Sequence, residues 1–161
     1  MVVWIIGLSG SGKSFLANKI YKKLINKRKK VIWIDGDDVR KYLTYDLGYS
    51  IADRKKNSKL IADLCKFLEN KGFIVICSIL SIFKDHQKIN RKKFKKYLQI
   101  YIKSNLEKLK KKNSNNVYQN KRNVVGKNIT FPTPYKSHFI IDRDNKINYS
   151  KTFKKIISRI K

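Results

Sequence analysis

The chain has 161 residues, of which 42% are hydrophobic and 31% charged, and it carries a net charge of +28. That length suits one domain with its own core, and the apolar content excludes a disordered tail. No apolar run approaches the ~20 residues of a membrane helix, so no membrane partner is expected.

Lysine supplies 32 of the 39 basic residues, and the charge is uneven: residues 1–80 hold 16 basic and 7 acidic side chains, residues 81–161 hold 23 and 4. Such a surplus attracts polyanions, whether nucleic acid, anionic membrane or phosphorylated small molecules. An AT-rich genome also enriches Lys, Asn and Ile, so charge alone does not choose among them. Cys65 and Cys77 lie in apolar segments and read as reduced core residues, which suits a cytoplasmic protein. Met1–Ile6 is apolar without a basic leader, so a signal peptide is not expected.

In chain order, the short apolar runs Val2–Ile6, Val31–Ile34, Phe73–Ile79, Leu98–Ile102 and Phe139–Ile141 read as strands. Each is continuous instead of alternating, as in a parallel sheet buried on both faces. Three helical stripes lie between and after them: Leu16, Ile20 and Leu24; Ile61, Leu64, Cys65 and Leu68; Phe153, Ile156, Ile157 and Ile160. The alternation predicts an α/β three-layer sandwich with a five-stranded parallel sheet, one domain over residues 1–161. Residues 110–136 are polar, lack period and end in Pro132 and Pro134. A long irregular stretch inside a compact domain reads as a lid.

Gly7-Leu8-Ser9-Gly10-Ser11-Gly12-Lys13-Ser14 satisfies G-x-x-x-x-G-K-[ST] between a predicted strand and helix. The glycines let backbone N–H groups turn around a phosphate, and the helix N-terminus adds partial positive charge. Gly7, Ser9, Gly10, Ser11, Gly12, Lys13 and Ser14 are therefore the expected nucleotide-phosphate site. Lys13 would serve the β- and γ-phosphates and Ser14 would ligate Mg²⁺. Asp35, Asp37 and Asp38 follow the second strand, at the strand end where ligands bind in such sheets. Asp37 is the expected base, Asp35 the supporting metal ligand, and Asp38 a cap for the next helix. Arg40, one turn on, can hold an anionic acceptor through a bidentate contact.

Gly7–Ser14 with Ile34-Asp35-Gly36-Asp37-Asp38-Val39-Arg40 resembles the adenylylsulfate (APS) kinase family. So do Asp46-Leu47-Gly48-Tyr49-Ser50, Asp53-Arg54, Asn57, Ser81-Ile82-Phe83 and Val117-Tyr118, in the expected order over nearly the whole chain. The resemblance implies a P-loop kinase with a mobile lid that uses ATP and Mg²⁺ to phosphorylate a ribose 3′-hydroxyl, and it allows a homodimer. It places Arg40, Arg54 and Asn57 on the acceptor nucleotide, Ile79 and Ser81 in its pocket, and Tyr49 and Phe131 on the two faces of its base.

Several positions depart from the family pattern. Ile82 replaces a proline, and Lys84-Asp85-His86-Gln87-Lys88 replaces a basic/acidic run. Lys112-Asn113 replaces an R-D pair. Asn115-Asn116-Val117-Tyr118-Gln119-Asn120 lacks the lid lysines. The F-T-G-I-x-x-P-Y-E stretch reads Asn123-Val124-Val125-Gly126-Lys127-Asn128-Ile129-Thr130-Phe131-Pro132. This form resembles a divergent bacterial branch tied to surface-polysaccharide synthesis, with cytidine diphosphoramidate kinase as one member type. The acceptor then leans to a cytidine compound, with APS as the alternative. Two other classes compete. The charge allows a nucleic-acid-binding protein through Lys27–Lys30 and Lys92–Lys96, although these runs flank amphipathic elements and read more simply as solvated faces. A P-loop GTPase is disfavoured because no N-K-x-D motif follows. His86 and His138 lack partners at zinc-ligand spacing.

Overall fold

The computed structural model describes residues 1–27, 29–112, 117–118, 122–143, 145 and 147–160, with the side chains at 112, 147 and 148 set aside. Five strands run β1 (Val2–Ile6), β2 (Val31–Asp35), β3 (Ile74–Ile79), β4 (Tyr97–Lys103) and β5 (Phe139–Asp142). Six helices run α1 (Lys13–Ile25), α2 (Gly36–Tyr42), α3 (Ile51–Asn70), α4 (Lys84–Lys93), α5 (Leu106–Lys112) and α6 (Ile147–Arg159). The strand order is β2-β3-β1-β4-β5 and every pairing is parallel. The α/β architecture expected from the apolar runs is thus the one observed.

Burial follows position in the sheet. β1 pairs on both sides and buries all five residues, whereas β2 and β5, at the edges, are only partly covered. Alternate β1 side chains feed two cores. Val3 and Ile5 join Leu16, Ile20 and Leu24 of α1, Ile156 of α6 and Ile160 just after it. Val2, Trp4 and Ile6 join Val39 of α2 and Ile61, Ala62 and Cys65 of α3. Helices therefore cover both faces of the sheet. β1 lies between β3 and β4, so the chain leaves its carboxyl end where the sheet order reverses, and a crevice opens there.

The stretch expected to be irregular from residue 110 begins inside α5, which runs to Lys112. Its later part is seated instead of free. Leu8, Ile82, Leu109 and Val125 form a third apolar cluster, joined by Leu106, Tyr118, Ile129 and Phe131, and the Tyr118 hydroxyl donates to the Ser9 carbonyl at 3.0 Å. The substitutions noted at Asn113, Asn115, Asn116, Gln119 and Asn120, and the side chain of Lys112, lie outside the described residues.

Candidate active site

α1 begins without a side-chain cap. Gly12 sits at its N-cap position with φ 96°, and Gly10 at φ 73°. The first-turn N–H groups therefore have no side-chain acceptor within the helix and remain available to an anion. Gly7 is required for a different reason: a Cβ there would lie 2.6 Å from Ser11 Oγ and 3.0 Å from the Ile102 carbonyl. Ser11 Oγ is buried with no hydrogen-bond partner among the described residues. Lys13 curls back over the loop, and its Nζ donates to the Leu8 carbonyl at 2.9 Å. Burial pulls the Lys13 ammonium below its ordinary proton affinity, while Asp37 and then Asp35 act in the opposite sense.

Three donors hold Asp35. Ser14 Oγ donates to Oδ2 at 2.8 Å and Ser78 Oγ to the same oxygen at 2.7 Å. The backbone N–H of Asp37 donates to Oδ1 at 3.0 Å, and Trp33 Nε1 donates to Ser78 Oγ at 2.9 Å, fixing that hydroxyl. Asp35, not Asp38, is therefore the cap of α2. β2 runs straight into the helix, so the last extended residue (φ −97°, ψ 134°) is the one whose carboxylate reaches the second helical N–H. Asp38 lies exposed in the first turn of α2.

Mg²⁺ is the metal implied by this chemistry, and the oxygens here fit it. Ser14 Oγ and Asp35 Oδ2 stand side by side, hydrogen-bonded at 2.8 Å, and both are the hard oxygen donors that such an ion takes. Among the described residues no group of three or more His, Cys, Asp or Glu could hold a metal. A site with two protein oxygens suits an ion that draws its other ligands from phosphate and water.

Beyond the loop a cleft of about 540 Å³ brings Ser9, Lys13, Asp35 and Asp37 together with Arg40, Tyr49, Arg54, Asn57 and Ile79. The Arg40 guanidinium lies 4.7 Å and that of Arg54 5.3 Å from the Tyr49 ring centre. Both guanidinium groups also bind backbone. Arg40 donates to the Leu47 and Gly48 carbonyls at 3.1 and 2.5 Å. Arg54 donates to the Tyr49 and Asn123 carbonyls at 3.0 and 2.9 Å. Burial, then the neighbouring Arg40 charge, lower the proton affinity of Arg54, so the cleft favours an anion beside this pair. Asn57 is buried, and its Oδ1 accepts from Thr44 Oγ1 at 2.9 Å. Ser58, on the same wall, is 3.1 Å from His86 Nδ1.

Two expected acceptor residues lie elsewhere. Ser81 is buried beside Gln87, whose amide nitrogen reaches its carbonyl at 3.4 Å. Phe131 packs into the apolar clusters with its ring 6.1 Å from that of Tyr101. Val124, Val125 and Arg122 line the cleft together with Tyr49, whereas Phe131 does not. Phe131 attracted the stacking role as the aromatic of that stretch. Sequence reasoning also missed Lys41, Tyr45 and Arg122 on the cleft and the Trp33–Ser78 support of Asp35. Only the polar Ser78 within an apolar strand gave a readable signal.

A second cleft, about 610 Å³, adjoins the loop at Ser11 and Gly12 and is lined by Phe15, Lys19, Arg143 and Tyr149 among others. Lys19 Nζ lies 4.9 Å from the Phe15 ring centre and 5.2 Å from that of Tyr149, and Arg143 donates to the Gly10 carbonyl.

A phosphate loop at the reversal point of a parallel sheet, with carboxylates on one side and a cationic cleft on the other, defines a P-loop nucleotide kinase. Residues 1–142 match the Adenylylsulphate kinase family. The chain is 32% identical over 167 aligned positions to cytidine diphosphoramidate kinase of Campylobacter jejuni, covering 99% of this chain and 95% of that protein. It is 33% identical over 150 positions to a probable adenylyl-sulfate kinase of Bacillus subtilis, covering 89% and 75%. The solved structure of the Mycobacterium tuberculosis APS kinase CysC in complex with AMPPNP and APS is similar at a TM-score of 0.88 and 25% identity, covering 99% of this chain and 96% of that one. The chain belongs to the adenylylsulphate kinase family and is a kinase. No helix among the described residues is long and apolar enough to cross a membrane.

Proposed function

We propose that this chain transfers the γ-phosphoryl group of ATP to the ribose 3′-hydroxyl of a nucleotide-activated small anion, with cytidine diphosphoramidate as the favoured acceptor. One observation carries the reading: Lys13 and the Asp35/Asp37 pair share a single cleft with Arg40, Arg54 and Tyr49. Phosphoryl transfer is mainly positioning and charge stabilisation, and this cleft provides a donor end and an acceptor end.

The roles follow from chemistry. The loop amides and Lys13 receive the donor phosphates, and the 610 Å³ cleft beside Ser11 is assigned to the adenine. Ser14 and Asp35 would hold Mg²⁺, which when bound neutralises charge on the phosphate oxygens. Asp37 orients the acceptor hydroxyl and accepts its proton. Arg40 and Arg54 leave their carbonyl partners for the stronger charge-assisted contacts of the acceptor anion, and the base stacks on Tyr49. The segment that carries Val117, Tyr118 and Val124 acts as the lid, excluding water that would otherwise hydrolyse ATP. A cytoplasmic location and a part in surface-polysaccharide modification belong to the same reading.

The lean to cytidine rests on Val124 and Val125. A cleft with Tyr49 and aliphatic side chains offers less stacking surface than one with two aromatics, which narrows the stacking advantage of a purine over a pyrimidine. The second reading, phosphorylation of adenylylsulfate, is favoured by Arg40, Arg54 and Asn57, which keep the family's residues. An assay of ADP release with the two acceptors in parallel separates them. Turnover with the cytidine compound and little with adenylylsulfate is expected; turnover with adenylylsulfate alone overturns the preferred acceptor.

A further inference from the structure

All eleven acidic residues lie between positions 35 and 144. Residues 1–34 hold eight basic side chains and no acidic one; residues 145–161 hold six and none. The fold brings these two stretches together. α1 and α6 pack side by side on one face of the sheet, whereas α2, α3 and α4 contribute Asp37, Asp38, Asp53, Asp63, Glu69 and Asp85. Neither α1 nor α6 carries a carboxylate. Uniform genomic drift would spread the few acids over all the helices.

A groove of about 620 Å³ runs between the C-terminal half of α1 and α6. Its floor includes Phe153 and Ile157, and Lys23, Lys27, Lys29 and Lys154 rim it. The four lysines are exposed, and none forms an ion pair among the described residues. Ile25, on the same end of α1, is 43% exposed. Because α1 starts at the phosphate loop and its 13 residues span ~20 Å, the groove lies at the far end of α1 from that loop; its near edge adjoins the 610 Å³ cleft, with Lys23 one turn beyond Lys19 and Ser150 next to Tyr149.

We propose that this α1–α6 end docks on an anionic lipid bilayer. An acid-free basic face is complementary to a negative membrane surface. Lysine stems can lie along the apolar floor while their ammonium groups reach the headgroups. Nucleic acid is the weaker partner for this surface. Phe153 is only partly exposed and lies against Tyr149, ring centres 6.3 Å apart, so no free aromatic platform offers itself to a base. Like charge disfavours a second copy. Docking on this end of α1 leaves the 540 Å³ cleft at the carboxyl end of the sheet free to bind small molecules.

The test is co-sedimentation of the full chain with vesicles of phosphatidylcholine containing about one-third phosphatidylglycerol, at physiological salt. Each basic residue near such a surface contributes about fivefold in affinity. The variant Lys23→Gln/Lys27→Gln/Lys154→Gln is therefore expected to bind on the order of a hundredfold more weakly. The variant Lys56→Gln/Lys59→Gln/Lys92→Gln, equal in charge but on the α3–α4 side, should stay within about threefold of the parent. A thermal melt confirms that both remain folded. Equal loss in the two variants means diffuse charge and overturns the proposal. So does failure of the parent chain to sediment, or displacement from the vesicles by a single-stranded RNA oligomer that needs the same three lysines.

Discussion

Asp35 shows how one carboxylate serves two purposes at the residue scale. It caps α2 through the Asp37 N–H and holds Ser14 through the other oxygen. Asparagine caps a helix about as well as aspartate but supplies no charge to a metal. Asp35→Asn should therefore keep the thermal midpoint near that of the parent and lose most turnover. Asp35→Ala should lose turnover and also about 1 kcal/mol of stability, as read by urea titration. Lys13→Ala should lower kcat roughly a hundredfold or more without lowering the thermal midpoint, since it removes a cation whose burial is unfavourable. Asp37→Asn should likewise cut kcat, and a near-parental kcat would show that Asp37 is not the base. Val124→Phe adds an aromatic to the cleft that holds Tyr49 and should move the ratio of kcat/KM about tenfold toward adenylylsulfate, the size expected of one stacking contact. An unchanged ratio would remove Val124 from acceptor selection. Lys13, Ser14, Asp35 and Asp37 could be singled out in the sequence because phosphate chemistry demands those residue types at fixed spacing, and the fold gathers them at one place. That Val124 lines the same cleft had no signal in the sequence, since an aliphatic side chain reads only as core.

At the scale of elements, hydrophobic pattern found what apolar burial builds and missed what polar contacts build. All five strands were readable, with ends one residue off where turns intervene. Phe73 reads as strand, but its N–H bonds the Leu68 carbonyl after Gly72 turns at φ 87°. α2 and α4 gave no helical stripe because α2 buries only Val39 and α4 buries Gln87 and Asn90. Gln87 accounts for one departure from the family run: its Oε1 accepts from the Tyr135 N–H at 2.6 Å, fixing the chain just before β5. Glu69 has a comparable part at the end of α3, accepting from the Lys95 and Lys96 N–H groups at 3.1 and 3.2 Å and pairing with Lys66 at 3.0 Å. Burial alone would raise its proton affinity, but the Lys95 N–H, Lys66 and the Lys96 N–H together hold it below the ordinary value of 4.5. The folded state therefore binds fewer protons than the unfolded one. The stability Glu69 contributes is fully present above pH 4.5 and is lost as pH falls through its lowered value. Urea midpoints against pH should show this acid slope in the parent chain and a flatter one in Glu69→Gln. Identical slopes would place the acid sensitivity elsewhere.

For the whole molecule, the charge of +28 resolves into two parts with different meanings. Around the acceptor cleft, Arg40 and Arg54 stand beside Asp35 and Asp37, so charge there is paired with chemistry. On α1 and α6 the charge has no acidic counterpart, a distinction that totals cannot reveal and the fold makes visible. Transfer of phosphate to a ribose 3′-hydroxyl is tested most directly by ³¹P NMR of the reaction with ATP, Mg²⁺ and cytidine diphosphoramidate. A new phosphomonoester signal coupled to the ribose H3′ proton is expected, growing as the ATP γ-phosphate signal declines. ATP lost to inorganic phosphate alone, or a phosphomonoester coupled to any other proton, would contradict that transfer.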